Sequence, residues 1–147
     1  MTHLDAIYFI AESKRIEGIL SPPTEAEITE HNRFMNLTLI AVSDLEQFVA
    51  VFEPAASLRR HTGMNVQVGN HIAPPGGPEI ETALSEILIR ANSGHYLPSR
   101  IHLLYEKLHP FSDCNGRSGR MLWLWMMREA PLGFLHTWYY QSLEHGK

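Results

Sequence analysis

The spacing of apolar residues predicts helices along most of the chain. Near the N-terminus, apolar residues recur every three or four positions, at Leu4, Ile7, Tyr8 and Ala11. This spacing favours an amphipathic helix over about residues 3–17, because side chains three and four positions apart share one face of a helix. Gly18 follows directly and is a typical residue at which a helix ends.

The next two helices are predicted from the residues that start them. Thr24 and Glu27 have the spacing of a capping box, in which each side chain accepts a hydrogen bond from the backbone of the other. We expect the helix that begins there to be long and to continue through residues 37–42. Ser43 or Asp44 is suited to start a third helix, which carries Leu45, Phe48, Val49 and Phe52.

Residues 63–78 break the helical pattern. Valines alternate there with polar residues, Gly69-Asn70 supplies a turn, and the prolines and glycines at 74–78 do not favour a helix. We therefore predict a short exposed hairpin with an irregular arm. Its central residues are Val66, Gln67, Val68, Gly69, Asn70 and His71.

Four more helices are expected after the hairpin. The first is marked by apolar residues at Ile80, Ala83, Leu84, Ile87 and Leu88. Ser99 is expected to cap the second, which ends near His109 because Pro110 disfavours a helical conformation in the residue before it. The last two are expected over about residues 116–129 and 133–144. The predicted fold class is all-α, a compact helical bundle with one small β-hairpin.

Composition and charge narrow the functional classes. The chain has 147 residues, 44% hydrophobic and 19% charged, which is typical of one globular domain, so we expect a single domain over residues 1–147. The formal net charge of −4 disfavours a general nucleic-acid-binding protein. No apolar run is long enough to span a bilayer and no signal-peptide pattern is present. With a single cysteine, Cys114, which cannot form an internal disulfide, a cytoplasmic protein is expected.

The residues that carry chemistry lie at positions 109–120, with the sequence His-Pro-Phe-Ser-Asp-Cys-Asn-Gly-Arg-Ser-Gly-Arg. His109 ends a predicted helix, and an imidazole is a general base near neutral pH. Asp113 supplies the hard oxygen that Mg²⁺ accepts beside phosphates. Arg117 and Arg120 share one face at the start of the next helix, where free N–H groups favour a phosphate anion. Each residue alone is more often structural, but their combination indicates a polyphosphate–Mg²⁺ substrate and a proton abstraction.

This segment resembles the signature of the Fic family, His-x-Phe-x-Asp/Glu-Gly-Asn-Gly-Arg-x-x-Arg. It matches at every defined position except Cys114, where the family usually has glycine. Residues 65–75 resemble the flap, the hairpin beside the active site of the family, and residues 104–109 resemble the helix that leads into the signature. The resemblance implies a Fic fold with its core over residues 24–147 and, as the most frequent activity, transfer of AMP from ATP to a Ser, Thr or Tyr hydroxyl of a target protein.

The resemblance also implies how the reaction would proceed. His109 would take the proton from the target hydroxyl, whose oxygen then attacks the α-phosphorus of ATP. Asp113 would hold Mg²⁺ between the α- and β-phosphates. Phe111 is interpreted as an anchor buried under the loop, and the flap residues 66–71 as main chain that pairs with an extended target segment.

The remaining signature residues are implied to bind the nucleotide. Asn115 and the backbone at Gly116 would contact the α-phosphate, Arg117 the β-phosphate and Arg120 the γ-phosphate. Gly119 belongs to the same nucleotide-binding set.

The cysteine at position 114 leaves two interpretations open. Glycine would give the loop a positive φ and a close approach to phosphate, whereas a cysteine restricts φ and adds a side chain. A cysteine near a helix N-terminus can also have a lowered pKa and be oxidisable. The simpler interpretation is a tolerated small residue.

A second family pattern, Ser/Thr-x-x-x-Glu-Gly/Asn, is matched by Ser13, Glu17 and Gly18. The residues alone also fit a charged helix end with Gly18 as its cap. The resemblance implies that Glu17 pairs with Arg120 in the place of the γ-phosphate. Residues 1–20 would then be an N-terminal inhibitory helix.

Three classes of function therefore remain. The leading class is a protein adenylyltransferase that uses ATP and Mg²⁺ and is inhibited by Glu17. The second is a Fic-type transferase of another phosphate-containing group, or an enzyme that removes AMP with water activated by Glu17. The third is a non-catalytic nucleotide-binding module, which His109 disfavours because binding alone needs no base. The target protein is not identified, and a homo-oligomer stays open, with Trp138, Tyr139 and Tyr140 in either a core or an interface.

Overall fold

Six helices and one two-stranded hairpin make up the part of the protein that the computed structural model describes, residues 3–128 with side chains from residue 5. The order is α1 (His3–Ile16), α2 (Glu25–Met35), α3 (Val42–Phe52), β1 (Gln67–Val68), β2 (His71–Ile72), α4 (Pro78–Ser93), α5 (Pro98–Leu108) and α6 (Asn115–Met126). The predicted all-α fold with one small hairpin is confirmed. The helix expected over residues 133–144 and the aromatic residues 138–140 lie outside the described residues.

The helix α6 lies at the centre of the packing. It contacts α1, α2, α3 and α5, and residues 117–125 are all buried. Because α6 is covered on several sides, its second half is apolar around the whole circumference, which explains the dense run that ends in Trp123, Leu124 and Trp125. The loop that joins α5 to α6 is therefore attached to the best-packed helix. Within residues 3–128, no helix combines the length and the apolar character that a membrane crossing requires.

The helix α1 packs on α2 and α6 with a different face from the predicted one. Its buried apolar residues are Ala6, Phe9 and Ile10, whereas Tyr8 of the predicted stripe is 57% exposed. The face is rotated because polar residues of α1 also take part in the packing. Lys14 Nζ donates to Glu27 Oε1 at 3.0 Å in a buried ion pair. Glu27 also forms the predicted capping box with Thr24, which is confirmed.

The region 37–42 does not continue α2, and the prediction of one long helix is wrong. Backbone groups in this region form hydrogen bonds with side chains of other helices. Trp125 Nε1 donates to the Leu37 carbonyl at 2.8 Å, and the Asn92 side chain bonds both the N–H and the C=O of Ile40 at 2.9 Å. Buried backbone groups that are paired in this way are not available for a helical ladder, so the chain leaves the helix there and starts α3 afterwards.

The boundaries of α5 and α6 also differ from the prediction. Leu97, not Ser99, is the N-cap of α5, because Pro98 occupies the first helical position. Proline is favourable there since its φ is already helical and its missing N–H would have had no partner. The helix α6 ends at Met126, before the predicted residue 129.

The predicted hairpin is confirmed. β1 and β2 are antiparallel, with Gln67 opposite Ile72 and Val68 opposite His71. Gly69 has φ +59° in the turn, in the left-handed region that glycine adopts without steric cost. Both strands are exposed, and Ile72 keeps 74% of its surface accessible. We keep the name flap for residues 65–75.

Candidate active site

The loop between α5 and α6 is closed by its own side chains. The Asn115 side chain accepts from the Phe111 N–H and donates to the Phe111 carbonyl, both at 2.8 Å. Phe111 is fully buried and forms an isolated antiparallel bridge with Leu58. The interpretation of Phe111 as an anchor is confirmed. Asn115 is thus used to shape the loop, and a contact between its remaining amide N–H and a phosphate stays a prediction.

His109 lies directly after α5 with φ +48°, in the left-handed region, and is half-buried. Its Nδ1 contacts the Glu106 carbonyl oxygen, one turn earlier in the helix. Because a carbonyl can only accept, we assign the proton of the neutral imidazole to Nδ1. The other ring nitrogen, Nε2, then carries a lone pair and is suited to take a proton.

The flap lies next to this imidazole. His71 Nε2 contacts the Lys107 carbonyl at 2.9 Å, which attaches β2 to the last turn of α5. The ring centroids of His71 and His109 are 6.2 Å apart. An extended segment paired with the flap would therefore run close to His109.

Asp113 is exposed at the turn of the loop, and its Oδ1 accepts from the Cys114 N–H at 2.7 Å. Within the described residues, no group of three or more His, Cys, Asp or Glu side chains is arranged to hold a metal ion. Mg²⁺ in nucleotide enzymes is commonly held by one or two carboxylates together with substrate phosphates. The single carboxylate of Asp113 fits that mode and does not fit a metal site made by protein alone.

Cys114 takes a left-handed backbone conformation, which glycine adopts without steric cost. Its φ is +69°, although it has a Cβ, and its side chain is 3% exposed in the core beneath the loop. Burial raises the pKa of the thiol to about 12, so the alternative interpretation of a reactive thiol with a lowered pKa is wrong. The structure favours a small residue that is tolerated in a left-handed position.

Arg117 lies at the junction of α6 and α3. Its Nη1 donates to the Phe52 carbonyl at 3.2 Å and its Nη2 to Glu53 Oε1 at 3.0 Å. The side chain of Arg117 is only 5% exposed, and that of Glu53 is 34% exposed. Arg117 thus attaches α6 to the last turn of α3, and its contact with a β-phosphate stays a prediction.

Arg120 joins α6 to the end of α1. Its Nε donates to Ser13 Oγ at 2.8 Å, and its Nη2 donates to the Ser13 carbonyl at 2.9 Å and to Glu17 Oε1 at 2.7 Å. The side chain of Arg120 is 6% exposed, and that of Glu17 is 38% exposed. The predicted pairing of Glu17 with Arg120 is thus present in the structure.

Gly18 sets the direction of this glutamate. It has φ +75°, its N–H donates to the Arg15 carbonyl at 2.9 Å, and the Ile19 N–H donates to the Lys14 carbonyl at 3.0 Å. These two bonds form a Schellman motif, which ends a helix with a sharp change of direction. Glu17 therefore lies at the point where the chain leaves α1.

The Glu17 carboxylate lies over the first turn of α6. A Cβ atom at Gly116 would collide with Glu17 Oε1 and lie 3.0 Å from Arg120 Nη1. The N-terminus of a helix carries free N–H groups and a partial positive charge, so it stabilises an anion. In this structure the anion at that position is supplied by the protein itself.

Comparison with models of known protein families gave no match. A search of curated proteins gave none either. The resemblance to the Fic family therefore depends on the quoted motifs, and the arrangement just described is what the structure adds to them.

Glu106 lies beside the candidate site and was not singled out by sequence reasoning. It lies on α5, one turn before His109, and burial raises the pKa of its carboxyl group to about 7 although the neighbouring Arg120 favours the charged form. A Cβ at Gly119 would lie 3.0 Å from Glu106 Oε1 and from Tyr105 Cδ1, so Gly119 permits the close approach of α5 and α6. In the sequence, Glu106 looks like any polar position of an amphipathic helix, which gives no signal of its surroundings.

Proposed function

We propose that this protein transfers AMP from ATP to a hydroxyl group of a target protein. The observation that carries the proposal is the Glu17 carboxylate bound to Arg120 over the first turn of α6. A carboxylate and a phosphate present the same anionic oxygen acceptors, so a position that holds one is suited to the other. This position lies at the start of α6, directly after the loop that begins with a histidine whose Nε2 can accept a proton.

Each step of the proposed reaction has a candidate group in the loop. His109 Nε2 takes the proton of the target hydroxyl as its oxygen attacks the α-phosphorus of ATP. The new oxygen–phosphorus bond replaces the bond from the α-phosphorus to the bridging oxygen, and pyrophosphate leaves. The N–H groups at the start of α6, together with Arg120, offset charge on the phosphates. Asp113 would hold Mg²⁺, which neutralises phosphate charge when bound.

The flap supports a protein target. Its strands are two residues long and exposed, and an extended peptide can add to such an edge through main-chain hydrogen bonds. The distance of 6.2 Å between the His71 and His109 rings keeps such a peptide near the base. A reaction that consumes ATP also fits the expected cytoplasmic location.

We further propose that Glu17 inhibits the transfer. When Arg120 Nη2 is bonded to Glu17, the carboxylate occupies the place proposed for the γ-phosphate and repels the phosphate oxygens. ATP would then bind with its triphosphate displaced from the attacking hydroxyl. The wild-type chain is expected to be weakly active, including toward itself.

The test is label transfer from ATP by a His109→Ala variant, made in the Glu17→Gly background to remove the proposed inhibition. With ATP labelled at the α-phosphate, removal of the base should lower incorporation by ~10²–10⁴, while ATP binding is largely kept because the phosphate groups are held elsewhere. His95→Ala, which changes an exposed histidine between α4 and α5, is the control and should incorporate normally.

Three results would contradict the proposal. Incorporation at a near-normal rate in the His109→Ala variant would mean that His109 is not the base. Incorporation of label only from the γ-phosphate would indicate phosphoryl transfer, and loss of AMP from already modified proteins would indicate the reverse hydrolytic activity. Mass spectrometry of the modified proteins distinguishes these products.

A further inference from the structure

Arg59 is a fully buried guanidinium that bonds four backbone carbonyls. Its Nε donates to the His109 carbonyl at 2.6 Å, and its Nη2 donates to the Leu108 carbonyl at 2.8 Å. Its Nη1 donates to the carbonyls of Met64 and Pro74, both at 2.9 Å. Four of its five N–H donors are therefore used, and every one of these acceptors is main chain.

The four carbonyls belong to the two sides of the candidate active site. Leu108 and His109 end α5 and carry the proposed base. Met64 precedes the first arm of the flap, and Pro74 lies in its second arm. One side chain thus holds the base-bearing segment and both ends of the flap at fixed distances from one another.

The backbone of Arg59 also bonds the loop after α5 and the segment that follows the flap. Its N–H donates to the Pro110 carbonyl, and its carbonyl accepts from the Gly77 N–H, both at 2.9 Å. Where the arms of the flap meet there is no spare room, because a Cβ at Gly76 would lie 2.5 Å from the Met64 carbonyl oxygen. The two ends of the flap, the Arg59 guanidinium and the loop between α5 and α6 therefore form one closely packed unit.

The electrostatics explain why an arginine is stable in this position. The last carbonyls of a helix have no partner within the helix and carry partial negative charge, and cationic side chains can bond them. Burial disfavours the charged form and lowers the pKa of Arg59, and the four carbonyl partners offset that cost. A guanidinium suits it better than an ammonium, because only a planar fork donates in several directions at once.

We infer that Arg59 is a positioning residue that couples the flap to His109. Its guanidinium bonds both the flap, whose main chain would bind the target, and the segment of His109, which would deprotonate the target hydroxyl. Arg59 does not contact the reacting atoms in this inference. It acts through the carbonyl of His109, which has φ +48°, and through the arms of the flap. The inference rests on the proposed function, but its structural half does not.

Two substitutions of Arg59 distinguish its bonds to the end of α5 from its bonds to the flap. Lysine can bond the carbonyls at the end of α5 but, as a single ammonium on a flexible stem, cannot also span both arms of the flap. Arg59→Lys should loosen the flap and keep part of the transfer activity. Arg59→Met removes all four bonds, leaves four carbonyls without this donor, and should affect both sides.

Arg60→Met is a matched control at the adjacent position. Arg60 pairs with Glu46 at 2.9 Å and Glu81 at 3.3 Å on the surface, and its side chain is 37% exposed. Removal of an exposed ion pair has a small effect on stability, and none of the partners of Arg60 lies in the flap. This variant should behave as wild type.

The experiment uses the full chain and three measurements. Hydrogen exchange measures protection of the flap amides, and calorimetry measures Mg–ATP binding. Label incorporation into the chain itself, in the Glu17→Gly background, measures transfer. Loss of two net hydrogen bonds corresponds to roughly 5-fold to 150-fold faster exchange of flap amides in Arg59→Lys. Incorporation should fall at least about tenfold in Arg59→Met, with Mg–ATP affinity within about twofold of the control.

The outcomes distinguish the inference from the proposed function. Hydrogen exchange of the flap amides that is as slow in Arg59→Lys as in the control would overturn the inference. Loss of Mg–ATP affinity together with loss of flap protection and of transfer would also overturn it, because that pattern indicates general damage to the fold. If Arg59→Met does not fold, Arg59→Lys carries the test. If no variant incorporates label, the proposed function fails, and the exchange result still decides whether Arg59 holds the flap.

Discussion

Replacing Glu17 by glutamine is the most direct perturbation of the proposed inhibition. Glutamine keeps the length and shape of the side chain and can still accept a hydrogen bond from Arg120 Nη2. It removes the negative charge that lies over Gly116. If inhibition depends on that charge, the Glu17→Gln variant should transfer AMP faster than wild type.

The size of the effect follows from the contact. Glu17→Gln turns the ion pair into a bond between the Arg120 cation and a neutral amide oxygen, and loss of one charge from such a bond costs about 0.5–1.5 kcal/mol, judged from the difference between hydrogen bonds with and without a charged group. The lower part of the difference applies here, since the Glu17 side chain is 38% exposed and solvent weakens the pair. Removal of charge repulsion on the γ-phosphate acts in the same direction. Together they amount to about 1–3 kcal/mol, or an activation of roughly 5-fold to 150-fold.

The assay is incorporation of α-labelled AMP at matched protein and ATP concentrations. Glu17→Gly should activate at least as strongly as Glu17→Gln, because it removes the hydrogen bond as well. Glu12→Gln is the matched control, since Glu12 is an acidic residue of the same helix that pairs with Arg15 at 2.6 Å on an exposed face. Its incorporation should equal that of wild type.

Equal incorporation by wild type and both Glu17 variants, with activity that still requires His109, would refute the reasoning. Glu17 would then be only a helix-end residue. Arg120→Glu supplies a second check. It also breaks the pair, but it should not activate, because the proposed contact with the γ-phosphate is lost. Activation by this variant would mean that Arg120 does not bind ATP.

Three further predictions concern metal, backbone and pH. Asp113→Ala should nearly abolish transfer and the dependence on Mg²⁺ or Mn²⁺, and undiminished wild-type activity in excess chelator would exclude that role. In urea unfolding, Cys114→Gly should leave the free energy of unfolding nearly unchanged, because relief of about 1–2 kcal/mol of left-handed strain offsets a similar free energy lost with the buried side chain. Cys114→Val should lower the free energy of unfolding. His31 is fully buried, and burial lowers its pKa from 6.5 to about 4, so the unfolded chain takes up the proton first as pH falls. Wild type should therefore lose roughly 3 kcal/mol of stability between pH 6.5 and 4 that His31→Gln does not lose, and parallel pH curves would contradict this.

The sequence predicts most of the elements because their signals are local. The capping box of Thr24 and Glu27, the turn at Gly69, and the break before Pro110 each depend on residues within four positions of one another. The pairing of Glu17 with Arg120 joins residues that are 103 positions apart and was still predictable, but only through the motif pattern. No periodicity or charge rule connects two residues so far apart.

The remaining features could not be predicted, because they depend on contacts between distant segments. The end of α2 is set by Asn92 and Trp125, which bond the backbone of residues 37 and 40. The four bonds of Arg59 are equally invisible in the sequence, where it is one of two adjacent arginines that end in opposite surroundings. Arg59 is fully buried, whereas Arg60 lies in a surface ion pair.

The docking of α1 determines how the proposed inhibition can be relieved. Phe9 and Ile10 are buried, and each contributes about 1.5–3 kcal/mol on burial, with a buried Lys14–Glu27 pair beside them. To undock α1 would therefore cost several kcal/mol and would expose a cation and an anion of the core. Glu17 lies beyond the last turn of α1, so rotation of its side chain breaks one hydrogen bond and leaves the helix in contact. If ATP binds as proposed, displacing the carboxylate alone is the lower-energy route, and Glu17→Gly should activate transfer while lowering the free energy of unfolding by no more than about 1–2 kcal/mol, the size of that one bond. A large loss of stability in that variant, measured by urea unfolding, would show that inhibition and docking of α1 are not separable.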